Sequence, residues 1–107
     1  MNTKTLAQGR WQEFSFAQQM GNIGSEINRT INWYQKKDKE YMEESLWQAL
    51  ELIDLTLSDK RWQNRLFEIF RLKEVICDFF LGDNQYNAST ESFKNYFLFF
   101  ALRSVNE

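Results

Sequence analysis

Residues 38–59 read DKEYMEESLWQALELIDLTLSD, and residues 60–81 read KRWQNRLFEIFRLKEVICDFFL. In the first stretch Met42, Leu46, Ala49, Ile53 and Leu57 recur at steps of three and four, the period of a helix with one apolar face. In the second, Ile69, Leu72, Ile76 and Phe79 fall on one apolar arc. The polar positions differ in sign. Asp38, Glu40, Glu43, Glu44, Glu51, Asp54 and Asp59 stand against Lys39 alone in the first segment. Lys60, Arg61, Arg65, Arg71 and Lys73 stand against Glu68, Glu74 and Asp78 in the second. Two such segments, joined by the turn and cap that Ser58-Asp59 supplies, read as neighbouring antiparallel helices of one bundle.

Working outward, Ser15 caps a first helix reaching about Gln35, with Phe16, Met20, Ile23, Ile27, Ile31 and Tyr34 on its apolar stripe. Gly24 lies at the edge of that stripe, where it either admits a close neighbour or is merely tolerated. Lys36-Lys37-Asp38-Lys39 breaks the chain, and Asp38 is the expected N-cap of helix two. Helix three is expected from about Lys60 to Leu81, closed by Gly82 as a left-handed residue. Gly82-Asp83-Asn84-Gln85-Tyr86-Asn87 has turn chemistry. Ser89 or Thr90 then caps a fourth helix to roughly Ser104. With no proline and four glycines, nothing interrupts these helices. The expectation is an all-α, single-domain four-helix bundle in up-down-up-down order over residues 13–107. Residues 1–12 form a flexible lead-in from which Trp11 docks back onto the body.

The chain has 107 residues and a net charge of −2, so it has no global attraction to nucleic acid or to an anionic membrane. Its longest apolar run, Tyr96 to Leu102, is too short to span a bilayer. The start of the sequence lacks a signal-peptide pattern, and the one cysteine, Cys77, cannot pair internally. A cytoplasmic protein is expected. Ten Phe, four Trp and four Tyr make the core unusually aromatic.

Histidine is absent. That removes the commonest general base near neutral pH, the Glu-x-x-His pairs of di-iron bundles, and the thiol proteases. Glu40-x-x-Glu43 and Glu51-x-x-Asp54 have the spacing of carboxylate pairs in all-helical nucleotide pyrophosphatases. Here both pairs fall on one helix, their more distant carboxylates roughly 20 Å apart at ~1.5 Å per residue, and they read as a solvated acidic face. Arg71, Glu74 and Asp78 follow as an exposed row. Arg65 and Glu68 fall inside the apolar arc, so burial and pairing are expected, with each other or with Glu26 and Arg29 of helix one. Apolar residues are in surplus as well. Leu98, Phe99 and Leu102 project away from the core face of helix four, Trp47 interrupts the acidic face, and Phe67 interrupts the charged stripe of helix three.

Gly24-Ser25-Glu26-Ile27, Ala49 through Thr56, the Arg65, Arg71, Glu74 and Asp78 row, and Gly82-Asp83-Asn84-Gln85-Tyr86 carry a resemblance. Together these segments resemble a family of small all-helical bacterial and archaeal proteins of uncharacterised function, over about residues 14–100. The resemblance implies a helical fold and brings no catalytic residue. The leading expectation is a non-enzymatic interaction module or accessory subunit without a cofactor. It self-associates as a dimer, and can meet another protein, through Trp47, Phe67, Leu98, Phe99 and Leu102. The competing expectation is a small-ligand or nucleotide site, or a Mg²⁺-dependent enzyme. It would use Glu26, Arg29, Arg65, Glu68, Arg71, Glu74 and Asp78, arginines holding phosphate and carboxylates holding the metal.

Overall fold

All but the third of the four helices begin where a short polar side chain satisfies orphan backbone donors. The computed structural model describes residues 9–107. α1 spans Phe16–Gln35, and its first turn closes with a capping box: Ser15 Oγ accepts from the Gln18 amide at 3.1 Å, while the Ser15 amide donates to Gln18 Oε1 at 2.9 Å. α2 spans Lys39–Leu57 behind Asp38, whose carboxylate accepts from the Tyr41 amide. α3 spans Leu66–Leu81, and α4 spans Thr90–Val105 behind a second capping box of Ser89 and Ser92. No strand occurs among the described residues, and none of the described helices is long and apolar enough to cross a membrane.

The core stripes are those read from the period. Met20, Ile23, Ile27 and Ile31 of α1 meet Leu46, Ala49 and Ile53 of α2, Ile69 and Ile76 of α3, and Phe93, Phe97 and Phe100 of α4, all buried. Helix directions follow from the pairs that touch. Phe16 at the start of α1 packs edge-on against Phe100 near the end of α4, at 5.6 Å between centroids. Tyr34 at the end of α1 packs on Phe80 at the end of α3. Lys73 of α3 reaches Asp54 of α2 at 2.7 Å. These contacts give an all-α bundle in up-down-up-down order, with α1 packed most closely on α2 and α4.

The α1–α4 contact decides the role of Gly24. A Cβ there would lie 2.6 Å from Phe97 Cβ, so the glycine is required by close approach rather than tolerated. A Cβ at Gly21, one turn earlier, would meet only the Ala101 Cα at 3.8 Å.

Two expectations change. Lys60–Arg65 is not the first part of α3 but a separate 3₁₀ segment, kinked at Trp62, whose backbone angles are not helical. The cause is a polar knot that pins its first half. Asp59 accepts from the Arg61 amide at 3.1 Å and from Arg61 Nε and Nη2 at 3.0 and 2.7 Å. Buried Gln19 donates to Asp59 Oδ2 and to the Trp11 carbonyl, and accepts from Trp62 Nε1 at 2.9 Å. Trp11 Nε1 donates to Thr56 Oγ1 at 3.0 Å. Trp11, fully buried, is therefore a core residue that joins the chain before α1 to the end of α2. The lead-in expected over residues 1–12 otherwise falls largely outside the described residues.

Gly82 is the second change. It is extended, at φ −115° and ψ −152°, not left-handed. Asp78 explains why glycine still sits there: a Cβ at Gly82 would lie 3.0 Å from the Asp78 carbonyl oxygen, which accepts from both the Gly82 and Asn84 amides. The left-handed turns fall instead on Asn84 and Asn87, at φ 53° and 56°. Asparagine tolerates that region, and Asn84 brackets the turn by accepting from the Ala88 amide and donating to its carbonyl.

Candidate functional site

The row Arg71, Glu74, Asp78, exposed at its first two members and half-buried at Asp78, organises the loop before α4. The two carboxylate oxygens of Asp78 accept from the Gln85 and Tyr86 amides at 2.9 and 3.0 Å. The Tyr86 hydroxyl donates to Glu74 Oε2 at 2.7 Å, a bond that pushes the phenol up from its ordinary pKa. The Arg71 guanidinium lies 5.4 Å from the centre of the Tyr86 ring. Asp78 and Glu74 thus hold the loop, and the loop's tyrosine holds Arg71.

Arg65 and Glu68 are not buried as the helical wheel indicated: both side chains are 43% exposed. Arg65 lies in the 3₁₀ segment, outside the register of the apolar arc, while Glu68 keeps that register within α3 but falls where α3 and α4 stand apart. The guanidinium of Arg65 sits over the Phe16 ring at 4.2 Å, and its nearest carboxylate, Glu68, is 3.9 Å away. Glu68 also accepts from the Tyr96 hydroxyl at 3.2 Å. Burial, reinforced by the Glu68 charge, raises the Tyr96 pKa and keeps it a neutral donor.

Glu68, Arg71 and Tyr96 mark the rim of an open cleft between α3 and α4. Leu72, Val75, Ser92 and Phe93 complete its walls, and its volume is about 310 Å³. Glu26 and Arg29 do not line it. They pair with each other on α1 at 3.6 Å, with Glu26 buried and Arg29 half exposed, and Glu26 Oε2 has no hydrogen-bond partner. The seven charged residues singled out in the sequence therefore separate into the Glu26–Arg29 pair, the Arg65–Glu68 pair at the cleft, and the clamp on the loop. Among the described residues no group of three Cys, Asp or Glu side chains is placed to hold a metal ion.

The apolar residues singled out in the sequence are exposed on three helices. Trp47 on α2 is 57% exposed and Phe67 on α3 is 83% exposed. On α4, Leu98, Phe99 and Leu102 are each more than half exposed. Val105, which the sequence reading passed over, is 82% exposed and continues the line. Leu98, Leu102 and Val105 follow at steps of four and three, so they share one outward stripe that Phe99 flanks. Its signal was in the sequence, as a second apolar period opposite the Phe93, Phe97 and Phe100 core period. Phe70 on α3, 52% exposed, was missed too. Beside the α4 stripe runs a second groove between α1 and α4, about 440 Å³ in volume, lined by Ser25, Asn28, Asn32, Lys94 and Asn95 together with Leu98 and Ala101.

Cys77 is partly buried beneath the Lys73–Asp54 bridge, and burial pushes its thiol up in pKa, away from a reactive thiolate. No protein-family model, curated protein or solved structure matches this chain.

Proposed function

We propose that the protein is a non-enzymatic, cytoplasmic helical module that self-associates through the outward face of α4. One observation carries the reading: Leu98, Leu102 and Val105 form an exposed apolar stripe on a helix whose opposite face already supplies the core. A stripe with this spacing is the kind of surface that another helix covers. Phe99 adds an aromatic anchor at its side, and the asparagines, serine and lysine of the adjacent groove provide a polar rim of the sort that surrounds interface cores. A two-fold pairing would bring the same stripe from both copies together. Trp47 and Phe67, on other helices, remain for a second protein partner, which fits an accessory subunit.

Sedimentation velocity of Leu98→Glu/Leu102→Glu tests the assignment against Phe67→Ser on α3. The α4 double substitution is expected to weaken dimerisation at least tenfold, since each buried leucine is worth about 1.5–3 kcal/mol. Phe67→Ser is expected to leave the dimer intact. Equal behaviour of the two variants would remove α4 as the interface.

A further inference from the structure

We propose that the α3–α4 cleft is a binding site for a small apolar carboxylate, a ligand with an aromatic or short aliphatic body and one anionic end. The cleft is a separate feature from the α4 stripe and does not depend on self-association.

Its volume, about 310 Å³, is at the small end of the ~300–1,000 Å³ typical of ligand sites, which sets the ligand's size. Its walls are Leu72, Val75, Phe93 and the ring of Tyr96, so the body of the ligand is apolar. Its polar groups decide the sign of the head. The Ser92 hydroxyl is committed to the Ser89 cap. The Glu68 charge is met by Arg65 and by the Tyr96 hydroxyl. Arg71 is different: among the described residues no carboxylate lies within ion-pair distance of it, and its nearest charge-compensating contact is the face of Tyr86. A cation over a tyrosine face keeps its in-plane N–H donors available. The Glu74–Tyr86–Arg71 chain thus holds an uncommitted fork of donors beside an apolar slot, which suits a carboxylate. The phenol of Tyr96, kept protonated by burial, spends its one O–H on Glu68, so Arg71 alone supplies donors for the head.

The test uses the full chain and three probes that share one body: 4-phenylbutyrate, 4-phenylbutylamine and 4-phenylbutanol. Backbone amide shifts are followed by NMR as each is titrated to millimolar concentration. The carboxylate is expected to give saturable shifts confined to residues 68–75 and 92–96, with affinity about fivefold above the amine and the alcohol. That preference is modest because the head group stays at the rim. Arg71→Gln, a surface change, is expected to erase the preference while the apolar body still binds. Val75→Trp, which fills the slot, is expected to abolish binding of all three probes, with its helical circular dichroism checked first. Absence of saturation, shifts elsewhere on the bundle, or a carboxylate preference that survives Arg71→Gln would overturn the assignment.

Discussion

Asp59 shows at a single position how much of this structure is held by partners far apart in the chain. The sequence marks it as a turn and cap residue, and it does accept the Arg61 amide. That Gln19 would donate to it, and that Trp11 and Trp62 would join the same network, is carried by no local period, because Gln19 lies 40 positions away. Hydrogen bonds from Arg61, aided by Gln19, hold the Asp59 carboxyl at about 2, below its ordinary 3.8, against the opposing effect of burial. A carboxyl lowered on folding contributes stability that is fully present above the ordinary value and is lost as pH falls from 3.8 through about 2. Asp59→Asn is therefore expected to lower stability at neutral pH by on the order of 2 kcal/mol. Urea unfolding of both forms from pH 6 to pH 2 would show the gap closing toward the acid end. A gap constant with pH would mean that the carboxylate charge is not what the knot uses.

At the scale of the element, caps and core stripes were legible because they are local. Ser15, Asp38 and Ser89 each precede an apolar period and each accepts a backbone amide within the first turn. The start of α3 was not legible. Lys60–Arg65 carries helix-forming residues, but its register is set by Asp59 and Trp62 meeting α1, and a 3₁₀ run turns 120° per residue instead of 100°. That difference moves Arg65 out of the expected interior, while Glu68, in register within α3, is exposed because α3 and α4 part there. Gly24 was left open between two roles, and its 2.6 Å approach to Phe97 Cβ decides between them. The obstacle is a β-carbon near the backbone of α4, not the end of a flexible side chain, so α1 and α4 would have to separate. Gly24→Ala is expected to cost about 1–3 kcal/mol from overpacking, reduced by the ~1 kcal/mol that alanine gains in helix propensity. Thermal unfolding would show a net loss of several degrees, and a rise in melting temperature would mean that the α1–α4 seam has room to spare.

At the scale of the whole molecule, the bundle closes unevenly, and this is where sequence reading stops. Which helix is amphipathic follows from its own period, whereas the width of a seam follows from how two helices meet. The tight α1–α4 seam needs Gly24, and the α3–α4 seam leaves the cleft that Leu72, Val75 and Phe93 line. The charge contrast between helices two and three is realised sparingly, by the Lys73–Asp54 bridge, while Glu40, Glu44 and Glu51 face solvent. Such exposed pairs add little stability, and solubility is the better account of the acidic face. The apolar surplus, by contrast, is spread over the bundle but forms a regular stripe on the outward side of α4, and self-association there is the central claim. Molar mass by light scattering, across a dilution series of the unmodified chain, tests it most directly. A mass of twice one chain at high micromolar concentration, falling toward one chain on dilution, is the expected result, and a single-chain mass at every concentration would contradict it.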